Sequence, residues 1–95
     1  MRTREKGYED YGLTPDVVAQ LKTMCARRND PEIFKAVYDA AYESNPAIAD
    51  ELAYSLRRGV SVNRFDVPYA DTDFYGYRRL ALAIFKRIIE ERKIT

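Results

Sequence analysis

The residue types that usually carry chemistry are sparse in this chain. Histidine is absent and cysteine occurs once, at Cys25. Without histidine the commonest general base and metal ligand is missing. One cysteine with no histidine builds neither a zinc site nor a Cys–His nucleophile. Glycines stand singly, at positions 7, 12, 59 and 76, so no glycine-rich loop is available to cradle a phosphate. One acidic group near a loop remains, Asp66, Asp71 and Asp73, a set of the kind that holds Mg²⁺ for hydrolysis. Asp71 and Asp73 also straddle an expected helix start, where carboxylates cap orphan N–H groups and meet the positive end of the helix dipole. Capping accounts for them without chemistry. The expectation is therefore no catalytic residue, no metal and no cofactor, and a protein that works by binding.

Residues suited to binding are better represented. Eight tyrosines stand in 95 residues, and several fall outside the apolar faces described below. Tyr42 lies on the helical wheel beside Lys35, and Tyr54 among Asp50, Glu51 and Arg58. Exposed tyrosine supplies contact area at low entropy cost and is enriched at interfaces. Tyr42, Tyr54, Arg57 and Arg58 are the expected protein-binding surface, with Tyr75 and Arg79 as a second patch. The less eventful alternative lays Tyr54 over the stem of Arg58 and covers Tyr42 with the N-terminal segment.

Charge offers a competing surface. The totals nearly cancel, 16 basic against 15 acidic, which argues against a polyanion-coating protein and against an acidic DNA mimic. The distribution is less even, net −3 over residues 30–45 and net +3 over residues 72–95. Arg79, Lys86 and Lys93 recur every seven residues, with Arg87 nearby, and such a stripe can follow a phosphate backbone. A solvated helix face, interrupted by Glu90 and Glu91, explains the same residues without a partner. A helix-turn-helix across Glu43 to Pro46 is less attractive, because its reading helix would present Asp50 and Glu51 to phosphates.

The elements that must position these residues are marked by three dipeptides, Thr14-Pro15, Asp30-Pro31 and Asn45-Pro46. Each pairs a side-chain oxygen that can cap with a proline whose preset φ suits the first helical position. They predict helices from Pro15 to about Arg27, from Pro31 to about Ser44 and from Pro46 to Arg58, the last stopped by Gly59. Periodicity places Val17, Leu21, Met24 and Cys25 on the first apolar face, with Val18 at its edge. Ile33, Phe34, Val37, Ala40 and Ala41 form the second, with Tyr38 at its edge. Ile48, Leu52 and Leu56, flanked by Ala49 and Ala53, form the third. Residues 60–70 read as an extended connector carrying apolar residues, with a short hairpin left open. Asp71, Thr72 and Asp73 are candidate caps for a last helix reaching about Lys93. Its apolar residues, Phe74, Tyr77, Leu80, Ala81, Ile84, Phe85, Ile88 and Ile89, cover more than half its circumference, as in a helix enclosed by others.

The expected fold is all-α: a compact bundle of about four helices, three short ones around a longer C-terminal helix, with the connector before it. Residues 1–13 read as a polar N-terminal arm and residues 14–95 as a single helical domain. A hydrophobic content of 46% suffices for one core and excludes disorder from charge alone. No apolar run reaches the roughly 18 residues of a membrane span, the N-terminal residues lack a secretory apolar stretch, and the single cysteine fits a reducing compartment. A cytoplasmic setting is expected.

The run Ile48-Ala-Asp-Glu-Leu-Ala-Tyr-Ser-Leu, the later Asp73-Phe-Tyr-Gly-Tyr-Arg-Arg and the opening Tyr11-Gly-Leu-Thr together resemble short uncharacterised proteins encoded by phages and integrated elements of Firmicutes. The resemblance spans about half the chain, and it implies a mobile-element origin. It carries no functional residue with it. The resulting expectation is a small non-enzymatic regulator or inhibitor that binds a host or phage protein. The alternative is a DNA-binding regulator using the basic face of the last helix. Oligomeric state is open on these grounds, and a self-complementary tyrosine surface would make a homo-oligomer.

Overall fold

A computed structural model describes residues 3–94, apart from the side chain of Arg4. All three cap-plus-proline pairs start helical elements. Thr14 Oγ1 accepts from the Val17 N–H at 3.3 Å, Asp30 Oδ1 from the Ile33 N–H at 3.2 Å, and Asn45 Oδ1 from the Ala47 N–H at 3.0 Å. Each bond satisfies a donor that the first turn leaves orphaned. The helices are α1 (Pro15–Cys25), α2 (Pro31–Ser44), α3 (Ala49–Arg58) and α4 (Asp71–Arg92). The Asn45 cap opens a 3₁₀ turn, Pro46–Ile48, which passes directly into α3. Gly59 ends α3 in the left-handed conformation, φ 68°, its N–H donating to the Ser55 carbonyl. Such a backbone is tolerated by glycine and costs other residues a Cβ clash.

Besides the 3₁₀ turn that opens the third helix, two element boundaries differ from expectation. α1 stops at Cys25 rather than Arg27, because the Arg27 N–H turns back to the Met24 carbonyl and Asn29 takes a left-handed φ of 57°. That reversal frees Asp30 to cap α2. At α4 the N-cap is Ala70, with no side-chain cap bond, so Asp71 and Asp73 occupy the first turn instead. There they still meet the positive end of the dipole.

α4 is the spine: it packs against α1, α2, α3, the turns of the N-terminal segment and the connector. Its most extensive partner is α2, whose Ala36, Ala40 and Ala41 are wholly buried. Small side chains at the contact let two helix backbones approach closely. Phe74, Ala81, Leu82 and Phe85 fill the α4 side with no exposure. The fully buried leucine is thus Leu82, while Leu80 and Ile84 are half-buried. On α1 Val18 is buried and Val17 half-buried, the reverse of the expected order.

The connector forms one 3₁₀ turn, Val62–Arg64, and no strand occurs among the described residues. Val62 is buried, and Phe65, Val67 and Tyr69 pack against the core from outside. The described part of the N-terminal arm is also folded on: turns at Thr3–Glu5 and Tyr8–Tyr11 lie against α4, and Leu13 is buried. The Cα radius of gyration, 12.3 Å, matches the roughly 12 Å expected of a single compact domain of this length. No helix is long and apolar enough among the described residues to cross a membrane.

Candidate interaction surface

On α2 the buried face is centred between Ile33, Ala36, Val37 and Ala40. At about 100° per residue, Phe34, Tyr38 and Tyr42 then step away from it in a row, four residues apart. The structure leaves them open: Phe34 is 52% exposed, Tyr38 39% and Tyr42 55%. The placement of Phe34 in the core is therefore corrected. Phe34 lies about 100° round the helix from the centre of the buried face, at the flank, where the Arg57 guanidinium covers one side of its ring. Tyr38 and Tyr42 lie side by side, ring centroids 6.3 Å apart, and Tyr38 too is more open than an edge-of-core position implies.

The row has a polar margin. Asp39 takes Arg92 at 2.8 Å and Lys35 at 3.9 Å, and Glu43 receives two hydrogen bonds from Arg87 at 2.6 and 2.8 Å. At the other end the Arg57 guanidinium lies over the Phe34 ring, 3.9 Å from its centroid. Aromatic centre and ionic margin are the usual layout of a protein interface.

The four residues of the expected first surface do not form one patch. Tyr42 belongs to the α2 row, and Arg57 joins that row through Phe34. Arg58 lines an adjoining basic hollow with Arg27, Arg28 and Arg57. Tyr54, 48% exposed, faces another hollow beside Val60, Arg64 and Phe65, its ring edge-on to Phe65 at 6.0 Å. Tyr42, beside Tyr38, is not covered by the N-terminal segment as the less eventful alternative expects, and Tyr54 meets Phe65.

The second expected patch is engaged within the molecule. The Tyr75 hydroxyl accepts from the Val62 N–H at 3.2 Å, tying the connector to α4, and Arg78 lies over its ring at 4.6 Å. Arg79 donates from Nε to the Lys6 carbonyl at 2.8 Å, 73 residues away in sequence. Next to them, Arg78 donates to Ser55 Oγ at 3.0 Å, and Ser55 donates to the Val60 carbonyl at 2.7 Å.

The basic stripe of α4 is engaged as well. Arg79 clasps the N-terminal segment, Lys86 pairs with Glu90 at 3.0 Å, and Arg87 binds Glu43 and Glu91. The Glu43 hydrogen bonds raise the Arg87 pKa further, so that charge is permanent but compensated. Lys93 caps the helix C-terminus with φ 56°.

Cys25 is 1% exposed, and burial pushes its thiol up to about 12, the behaviour of a small core hydrophobe. Among the described residues no group of three or more Cys, Asp or Glu side chains is placed to hold a metal ion, so Asp66, Asp71 and Asp73 do not gather. The chain matches no protein-family model, no curated protein and no solved structure. Its own surface is the guide to function. Phe34 and Tyr38 were not legible as surface residues, although the spacing 34, 38, 42 is a visible signal of an aromatic row.

Proposed function

We propose that this protein is a small non-enzymatic regulator or inhibitor that binds another protein through the aromatic row of α2. One observation carries the reading: three large aromatic side chains stand open in register on a helix whose opposite face is fully packed. Burying such rings against a partner gains area at little rotamer cost. The resemblance of the segments 11–14, 48–56 and 73–79 to proteins of phages and integrated elements supports a mobile-element setting, with a host or phage protein in the host cytoplasm as the target. The DNA-binding alternative draws less support, since Arg79, Lys86 and Arg87 already have intramolecular partners.

The test is affinity capture from the native host with wild type, Phe34→Ala/Tyr42→Ala and Tyr54→Ala. The double variant loses a discrete captured protein that wild type retains. Its thermal stability stays within about 1–2 kcal/mol of wild type, because half-exposed rings and an exposed cation–π contact contribute little to folding. Undiminished capture by the double variant rejects the α2 row. Loss with Tyr54→Ala alone moves the surface to the hollow beside Phe65.

A further inference from the structure

α1 and α3 pack together; Arg27–Arg28 follow the end of α1 in the turn to α2, and Arg57–Arg58 close α3. Three adjoining hollows meet at Arg57. One of about 310 Å³ adds Lys22, Ser55 and Arg78; one of about 450 Å³ lies between the two arginine pairs; one of about 630 Å³ ends on Asp30, Pro31 and Phe34. The resulting trough is lined by six cations and a single carboxylate, Asp30.

Helix ends alone do not account for so much charge. Two helix C-termini supply about half a negative charge each, and Asp30 lies 3.9 Å from Arg27. Among the described residues Arg28, Arg57, Arg58, Arg78 and Lys22 make no ion pair with a carboxylate. Arg57, Arg78 and Lys22 rest over the rings of Phe34, Tyr75 and Tyr8, which fixes their positions without cancelling their charge. Guanidinium groups held in this way are prepared for carboxylate or phosphate oxygens.

The surroundings separate the two classes of anionic partner. Beyond Phe34 the cations beside the aromatic row are already matched, Arg92 and Lys35 by Asp39 and Arg87 by Glu43, and Glu32 adds a negative charge on the same helix. A nucleic acid bears a phosphate at every nucleotide and finds no unmatched cations to follow as it leaves the trough along α2. A polypeptide can place carboxylates in the trough and apolar side chains on Phe34, Tyr38 and Tyr42. We propose that the arginine trough receives an acidic segment of the protein partner, continuous with an apolar segment seated on the α2 row. The proposal rests on the α2 row being the protein-binding surface.

The probe is a labelled peptide of about a dozen residues, half Asp and Glu and half apolar with one aromatic, compared by anisotropy with a single-stranded oligonucleotide of equal charge. The full-length protein binds the peptide at low salt and more tightly than the oligonucleotide. Arg28→Glu/Arg58→Glu weakens peptide binding about tenfold or more. Arg64→Glu/Lys93→Glu, an equal change in net charge outside the trough, leaves it within about twofold. Absent peptide binding, equal weakening by both reversals, or tighter oligonucleotide binding overturns the proposal. The two readings fail separately. Partner capture that survives Arg28→Glu/Arg58→Glu but not Phe34→Ala/Tyr42→Ala rejects the trough and keeps the row. Capture that survives Phe34→Ala/Tyr42→Ala rejects the row, whatever the peptide does.

Discussion

At the scale of single residues, the two groups with the most informative environments are Cys25 and Phe34. Cys25 sits at the end of α1 against the core, and its thiol is pushed by burial from an ordinary 9.0 to about 12. A thiol so placed is a poor nucleophile, because the thiolate is the reactive form. The folded protein is expected to resist a thiol-specific reagent at pH 8 and to react promptly once unfolded, which a colorimetric assay with and without denaturant measures. The same shift sets an alkaline limit. Between about pH 9 and 12 the unfolded chain releases a proton that the folded chain keeps, so stability present below pH 9 is lost as pH rises. The slope approaches about 1.4 kcal/mol per pH unit. Tyr8 and Tyr11 are also shifted upward by burial and add to the loss above pH 10. Denaturant melts from pH 8 to 10 detect the first part of the slope in wild type and its absence in Cys25→Ala. Phe34 shows the opposite outcome for an apolar residue: it stands 52% exposed at the flank of α2, with Arg57 over its ring.

At the scale of elements, cap chemistry was the most legible feature. Thr14, Asp30 and Asn45 precede prolines and do accept the first-turn N–H groups, because capping depends on residues two or three apart. Gly59 ended α3 for the same local reason. The start of α4 was misread, since a carboxylate in the first turn serves the dipole as well as one at the cap and the sequence does not separate them. The N-terminal segment was read as an arm because its residues are polar. What holds it is distant: Arg79 donates to the Lys6 carbonyl, and Leu13 is buried. Replacing Arg79 with alanine is expected to cost roughly 1–2 kcal/mol and to release this segment before the bundle. Hydrogen exchange reports it as faster exchange at Gly12 and Leu13, whose N–H groups bond to Glu9 and Tyr8 carbonyls, with the centre of α4 still protected. Uniform deprotection would mean that Arg79 supports the whole fold rather than the segment.

At the scale of the molecule, the fold is a spine enclosed by three helices, two terminal turns and a connector. Its tightest joint is the alanine face of α2 against α4. Ala40→Leu adds three carbons where the exposure is 0%, and the two helices must part or the side chain must strain. The expected loss is about 1–3 kcal/mol, read as a lower denaturation midpoint with an unchanged slope. Little or no loss would show that the joint has slack. With that face of α2 packed, helical spacing leaves Phe34, Tyr38 and Tyr42 on the outside, and Arg57 lies over the first of them. The arginine trough has a similar origin, as two chain reversals bring two separate arginine pairs together.

The sequence by itself determined the all-α class, the four helices, three of their starts and the spine role of the last one. Those properties follow from contacts within a few residues and from apolar periodicity, both of which are present in the linear order. It also named Tyr42, Tyr54, Arg57 and Arg58 as side chains outside the main apolar faces. Only the tertiary structure decided which of these belong together. It joined Tyr42 to Tyr38 and Phe34, set Arg57 and Arg58 beside Arg27 and Arg28, and turned Tyr75 and Arg79 inward to hold the connector and the N-terminal segment. The physical reason is that most of these contacts join residues from elements far apart in the linear order. Periodicity gives each side chain its angle on its own helix, and the packing of the helices then decides what a border side chain meets.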